Sequence, residues 1–304
     1  MKPPLLDRIN GGDVLVADGA MGTLLFQRGL EPGACPEAFN LSNPEILQDI
    51  ARNYLDAGAD IIQTNTFGGS SVKLGDYGLE DQTEAINEAA VISVRKTVGD
   101  TAYVSGSCGP SGKMLKPYGD ADPDDLSRGF FRQNSALIAA GADVICVETM
   151  TDLKEATLAI EAAKTASPQT PVMATMTFDE TPRGFFTIMG VSITEAAEGL
   201  QVAGADIIGS NCGNGIDNMI EIARQLKQTS ALPLIIQSNA GIPRMEGREL
   251  AYDEVPALFG EKTEELIQAG VSIVGGCCGT TPEHISAIRS AASMHVKAVK
   301  PVLD

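Results

Sequence analysis

Ala57-Gly58-Ala59-Asp60-Ile61-Ile62 is a phrase that the chain repeats. Ala140-Gly141-Ala142-Asp143-Val144-Ile145 and Ala203-Gly204-Ala205-Asp206-Ile207-Ile208 restate it, and Ala269-Gly270-Val271-Ser272-Ile273-Val274 is a looser copy. Each copy closes a helical pattern with glycine, the residue that best tolerates the left-handed conformation of a helix C-cap, and a β-branched run opens two residues later. The copies start 83, 63 and 66 residues apart, which is room for two strand-helix units of roughly 30–40 residues each. One supersecondary unit used many times leaves this kind of weak internal repetition.

Filling the intervals gives eight strand candidates, at 13–18, 60–64, 102–107, 143–148, 171–177, 206–211, 232–238 and 271–276. Most are continuous apolar runs, the pattern of parallel strands covered by helices. Helical patterns lie between them at 44–57, 82–98, 123–140, 152–166, 194–203, 216–228, 253–269 and 282–293. Asn43-Pro44-Glu45, Asp122-Pro123-Asp124 and Thr281-Pro282-Glu283 each set a capping residue before a proline at the first helical position. Eight alternating pairs predict a single-domain α/β protein, a (β/α)8 TIM barrel. The alternative is an open doubly wound sheet, but the first strand-helix turn, Asp18-Gly19-Ala20-Met21-Gly22-Thr23, lacks the Gly-x-Gly-x-x-Gly of dinucleotide-binding sheets. The barrel is expected over residues 1–294, with 295–304 a C-terminal tail or the start of a linker.

The 304 residues are 43 % hydrophobic, enough for a large core, and carry a formal net charge of -18. Such an acidic surface repels nucleic acid and anionic membranes, so neither is expected as a partner. No apolar run approaches the roughly 20 residues that span a bilayer, and residues 1–8 lack the apolar core of a signal peptide. Six cysteines without close disulfide spacing fit a cytoplasmic protein with reduced thiols, where clustered cysteines bind metal or react.

Barrel enzymes build their sites at the C-terminal ends of the strands. There the sequence puts Asp18-Gly19-Ala20, Thr64-Asn65-Thr66-Phe67, Glu148-Thr149, Asn211-Cys212-Gly213, Ser238-Asn239-Ala240-Gly241 and Gly275-Gly276-Cys277-Cys278-Gly279. Neighbouring residues on an extended strand face opposite ways, so Cys277 and Cys278 can share one ligand only where the strand has ended. Cys212, Cys277 and Cys278 then come from strands six and eight, with Asn239 on strand seven between them. Three thiolates with a fourth place for a neutral oxygen or an incoming ligand suit Zn²⁺. A zinc ion with that much negative charge is a poor activator of water but can hold an external thiol as thiolate, so alkyl transfer to sulfur is expected. Asp18 and Glu148 are candidates for the ammonium of an amino-acid substrate, and the amides around Gly19, Ala20 and Met21 for its carboxylate. Both carboxylates could instead cap the helices that follow them. Cys108 is expected to line the mouth and Cys146 to lie in the core. The histidines, His284 and His295, lack ligand spacing.

At these residues the sequence closely resembles the homocysteine S-methyltransferase family. The motifs run from Asp18-Gly19-Ala20-Met21-Gly22-Thr23 to Gly275-Gly276-Cys277-Cys278-Gly279-Thr280-Thr281-Pro282 and so cover essentially the whole chain. The resemblance implies zinc held by Cys212, Cys277 and Cys278, with Asn239 in the fourth position when substrate is absent. It also implies homocysteine as substrate, its amine at Glu148, its backbone along Asp18 to Met21, and Asn65 and Asn211 among the binding residues. The motifs look most like the homocysteine module of cobalamin-dependent methionine synthase, so a methylcobalamin (corrinoid) protein or domain is the expected methyl donor. S-Methylmethionine or S-adenosylmethionine are alternative donors. Two other readings stay open. A barrel enzyme could bind a phosphorylated substrate at Gly275-Gly276, and a non-catalytic subunit could bind homocysteine for a partner.

Overall fold

All eight predicted strands form and join into one closed ring in the computed structural model, which describes residues 2–246 and 249–299. They are β1 (Leu15–Val16), β2 (Ile61–Gln63), β3 (Tyr103–Cys108), β4 (Val144–Met150), β5 (Val172–Met176), β6 (Ile207–Asn211), β7 (Leu234–Ser238) and β8 (Val271–Gly276). Each pairs in parallel with its sequence neighbour, β8 returns to β1, and the Ala17–Ile61 bridge joins β1 to β2. An open doubly wound sheet is thereby excluded: the sheet is a TIM barrel. The predicted helices surround it, from Pro44–Asp56 to Pro282–Val299. The last helix continues through residues 295–299 of the expected tail, and residues 300–304 lie outside the described residues.

The repeated phrase has a physical role at each copy. Gly58, Gly141, Gly204 and Gly270 all take a φ between 92° and 101°, where a side chain would be strained. The aspartate two residues on then pins the strand before it. Asp60 Oδ2 accepts Val16 N–H at 2.9 Å, Asp143 Oδ2 accepts Val104 N–H at 2.7 Å, and Asp206 Oδ2 accepts Val172 N–H at 2.8 Å. Each aspartate also meets a cation: Arg8 and Arg289 at Asp60, Lys2 and Arg95 at Asp143, Lys164 at Asp206.

The alternation inside the barrel places the site. The first inward-facing layer is apolar, with Leu15, Ile61, Tyr103, Val144, Met173, Ile207, Ile235 and Ile273 in one cluster. The short helix Leu5–Asn10 adds Leu5 and Ile9 to that cluster and plugs this end. Two residues further along, the inward positions turn polar, with Gln63, Ser105, Thr175 and Gln237. A second, larger apolar core fills the space between strands and helices, through residues such as Ile62, Val104, Ile145 and Ile236. Among the described residues, a cavity opens at the C-terminal end of the barrel. Two short antiparallel hairpins that the strand pattern does not predict, Asp179–Thr181 with Gly184–Phe186 and Arg244–Glu246 with Glu249–Ala251, follow β5 and β7. Among the described residues no helix is long and apolar enough to cross a membrane.

Candidate metal centre and substrate pocket

Cys212 follows β6 directly, and Cys277 and Cys278 follow β8, so each thiol sits just past a strand end. The turns are cross-linked by backbone hydrogen bonds. Cys212 N–H donates to Gln237 O at 3.2 Å, Cys277 N–H to Ser238 O at 2.7 Å, and Ala240 N–H to Cys278 O at 3.0 Å. All three sulfurs fall within 4.8 Å of one another, with Cys212 Sγ and Cys278 Sγ 3.9 Å apart. Thiolates about 2.3 Å from one tetrahedral zinc stand about 3.8 Å apart, so the observed spacing needs little adjustment. Asn239 is buried and reaches Cys212 with its side chain, and its Oδ1 has no hydrogen-bond partner among the described residues. A buried acceptor left unpaired on a side chain that reaches Cys212 is a candidate for a fourth, neutral ligand position. The chain's own donor set therefore fits a zinc ion.

Among the described residues, two other than glycine have positive φ, Cys212 at 60° and Thr149 at 59°, and both belong to this site. The left-handed conformation costs such residues roughly 1–3 kcal/mol and persists where neighbours enforce it. At Thr149 the enforcement comes from Asn211, whose Oδ1 accepts Thr149 N–H at 2.8 Å and the Thr175 hydroxyl at 2.7 Å. Within the cluster the thiols share charge unevenly. Hydrogen bonds from Cys277 and Cys278 draw Cys212 down toward the thiolate, and the same contacts push Cys277 and Cys278 up.

A cavity of about 270 Å³ opens beside the thiols. Cys212, Cys277 and Cys278 line one side, Glu148 and Ser107 another, and Gly19 to Met21 a third. Glu148 is buried and accepts the Ser107 hydroxyl, and burial pushes its carboxyl up to about 7. Asp18 lies behind the lining. Its Oδ2 accepts Gln63 N–H at 2.8 Å while its Oδ1 has no partner among the described residues, and burial, with Glu148 nearby, pushes it up to about 8. Neither carboxylate caps a following helix. Ala20 N–H is committed to Thr280 Oγ1 at 3.2 Å, and Gly19 and Met21 line the cavity on either side of it.

Other expected residues fall differently. Asn65 lines the cavity, but its amide donates to Pro36 O and Asn40 Oδ1. Asn211 is fully buried, and its Nδ2 contacts Glu148, Thr149 and Cys277, which makes it a bridge behind the wall. Cys108, expected at the mouth, is wholly buried with its thiol on Gln133 Oε1 at 3.4 Å. Strand β3 turns it outward into the core between sheet and helices. Cys146 is core, as expected. His284 is buried against Phe259, and His295 pairs with Glu264. The strand-end reading passed over Gln63, Gln237 and Glu37, all on the cavity wall. The first two were signalled by polar residues in apolar strands. Glu37, whose carboxylate takes Gly68 N–H at 2.6 Å, had no signal in its loop.

Residues 15–292 match the homocysteine S-methyltransferase family. The chain belongs to that family. Among its relatives, the methionine synthase of Mycobacterium tuberculosis is 34% identical over 299 residues, covering 92% of this chain and 25% of that protein. The methionine synthase of Mycobacterium leprae is 32% identical with similar coverage. This family member thus spans about a quarter of the length of the curated relatives it matches. Among solved structures, the metallated form of the homocysteine methyltransferase MmuM from Escherichia coli superposes with a TM-score of 0.78 at 23% identity, covering 95% of this chain and 99% of that one. The apo form gives 0.71 at 25% identity, covering 94% and 98%.

Proposed function

We propose that the chain binds zinc through Cys212, Cys277 and Cys278, with the Asn239 amide oxygen in the fourth place, and methylates homocysteine to methionine. The observation that carries this reading is the cavity itself, which has three sulfurs within 4.8 Å on one side and a buried carboxyl on another. Zinc held there would keep the substrate sulfur as a thiolate, the nucleophile that takes the methyl group. The chain's residues do the rest. Glu148 takes the ammonium, with Asp18 adding negative potential from behind, and the Gly19 and Met21 amides take the carboxylate. Ser107 holds Glu148 in place, and Asn211 holds Glu148 relative to Cys277. Asn65 shapes the wall from its bonds to Pro36 and Asn40.

For the donor we propose a methylcobalamin carried by a corrinoid protein or domain, following the methionine synthase relatives. The second reading is a small sulfonium donor, S-methylmethionine or S-adenosylmethionine. We take residues 1–294 as the catalytic barrel, and the free thiols as suited to the reducing cytoplasm. The test is a donor panel. Zinc-loaded protein with homocysteine is given methylcobalamin, S-methylmethionine or S-adenosylmethionine, and methionine is measured. Methionine formation that persists after the metal is stripped overturns the zinc reading, and the productive donor decides between the two sources.

A further inference from the structure

The thiol-bearing turns are also held by a fourth segment. Residues 252–254 leave the hairpin Arg244–Glu246/Glu249–Ala251 and touch all three turns before the helix Pro256–Gln268 begins. Toward the Cys212 turn, Glu254 Oε2 accepts Ile216 N–H at 3.0 Å, at the start of the helix Ile216–Thr229. The approach is so close that a Cβ on Gly215 would lie 2.0 Å from Glu254 Oε1. Toward the Asn239 turn, Glu254 N–H donates to Ala240 O at 3.0 Å.

The Cys277-Cys278 turn receives two contacts. Tyr252 lies flat over Gly279, where a Cβ would sit 2.2 Å from the ring's Cγ, and the Tyr252 hydroxyl faces Cys278. His284, in the first turn of the helix that follows, meets Glu254 O at 3.0 Å through Nε2. Its other nitrogen, Nδ1, accepts Thr281 N–H at 3.1 Å, so the imidazole proton is on Nε2 and is donated to Glu254 O.

We infer that residues 252–254 form a clasp that sets the spacing of Cys212, Asn239 and the Cys277–Cys278 pair, with Tyr252, Glu254 and His284 as positioning residues for the metal ligands. Bound metal–ligand distances vary by only about 0.2 Å, so the relative placement of the ligand-bearing turns matters for affinity. Neighbouring turns share two backbone hydrogen bonds each, and one turn carries a left-handed cysteine, so further ties to a common segment bear directly on their spacing. The clasp ties each turn to one short segment, so no turn moves without the others. The inference rests on the zinc reading for its metal readout alone, because the contacts themselves run between protein groups.

The test uses the full chain with Glu254→Ala, His284→Ala and Tyr252→Phe, each confirmed folded by circular dichroism. Zinc affinity is read by competition with a chromophoric chelator, and amide hydrogen exchange at Cys212, Asn239, Ala240 and Cys277 is read without metal. Glu254→Ala and His284→Ala are expected to weaken zinc binding about 10–100-fold, the range for supporting residues around a metal. They should also speed exchange at these amides by at least about tenfold. Tyr252→Phe keeps the ring on Gly279, so exchange should stay as in the parent while zinc binds less tightly. Parent-like exchange in both alanine variants overturns the clasp. If Glu254→Ala does not fold, His284→Ala, at the other end of the clasp, decides alone. A parent protein that binds no zinc overturns the zinc reading, and the exchange measurement still decides the clasp.

Discussion

Asn211 and Glu148 share a hydrogen bond that joins the two halves of the site: Asn211 Nδ2 lies 3.3 Å from Glu148 Oε2 and also 3.7 Å from Cys277 Sγ. The carboxyl proposed for the substrate ammonium and a thiol proposed for the metal are thus spaced by one buried amide. Asn211→Ala should loosen that spacing and strand the Thr149 N–H and the Thr175 hydroxyl. The expected cost is about 1–3 kcal/mol of stability, the penalty for buried groups left unpaired, together with a higher KM for homocysteine. Urea unfolding and steady-state kinetics check the two effects, and an unchanged KM removes Asn211 from the site.

Replacing Cys277 or Cys278 by alanine removes one of three thiolates and should lower zinc affinity by more than about 100-fold, above the range for supporting residues. Cys108→Ala, a wholly buried thiol outside the cavity, should leave zinc content as in the parent. Atomic absorption after dialysis against a weak chelator reads both.

The carboxyl of Glu148, raised to about 7 by burial, must ionise to hold an ammonium. Homocysteine binding should therefore strengthen as pH rises toward about 7 and level off above it. Glu148→Gln should bind more weakly and lose this step. Titrations of metal-loaded protein at pH values on both sides of 7 follow it, and a flat parent profile would count against the role of Glu148.

Asp18 makes a stability prediction with the opposite slope. A carboxyl whose folded pKa is raised, here from 3.8 to about 8, favours the folded state while protonated. That contribution is fully present below about pH 4 and is lost as pH rises through about 8. Asp18→Asn should lack this decline, so its stability relative to the parent should improve between those limits. Urea midpoints measured across the range on substrate-free protein test it.

Leu5 and Ile9 plug the barrel end opposite the site and are almost fully buried. Ile9→Ala should cost about 2–5 kcal/mol, the usual range for emptying such a position, with zinc binding retained in the folded fraction. Loss of zinc at full fold would show that the two ends of the barrel are coupled.

Much of this was readable along the chain because the relevant physics is local. A helix that must stop needs a glycine, and a strand covered on both faces needs an apolar run. The four Ala-Gly copies therefore fixed both the alternation and the barrel. The cysteine pair was legible for the same reason: only past a strand end can Cys277 and Cys278 face one point. The hairpins were harder to see, since three-residue strands carry too little pattern to register. The plug escaped because six residues of helix look like any polar start until the open barrel end they fill exists.

By itself, then, the sequence determined the number and order of the strands, the end of the barrel at which the cavity opens, and the three cysteines that meet there. Those features depend on residue type and spacing along the chain. Only the tertiary structure decided which polar groups face the cavity. It turned Cys108 outward, set Asp18 behind Glu148 and Asn211 between Glu148 and Cys277, and drew Tyr252, Glu254 and His284 to the cysteine turns. These placements depend on inward or outward register and on segments far apart in the chain meeting at one strand end, and no local pattern encodes that meeting.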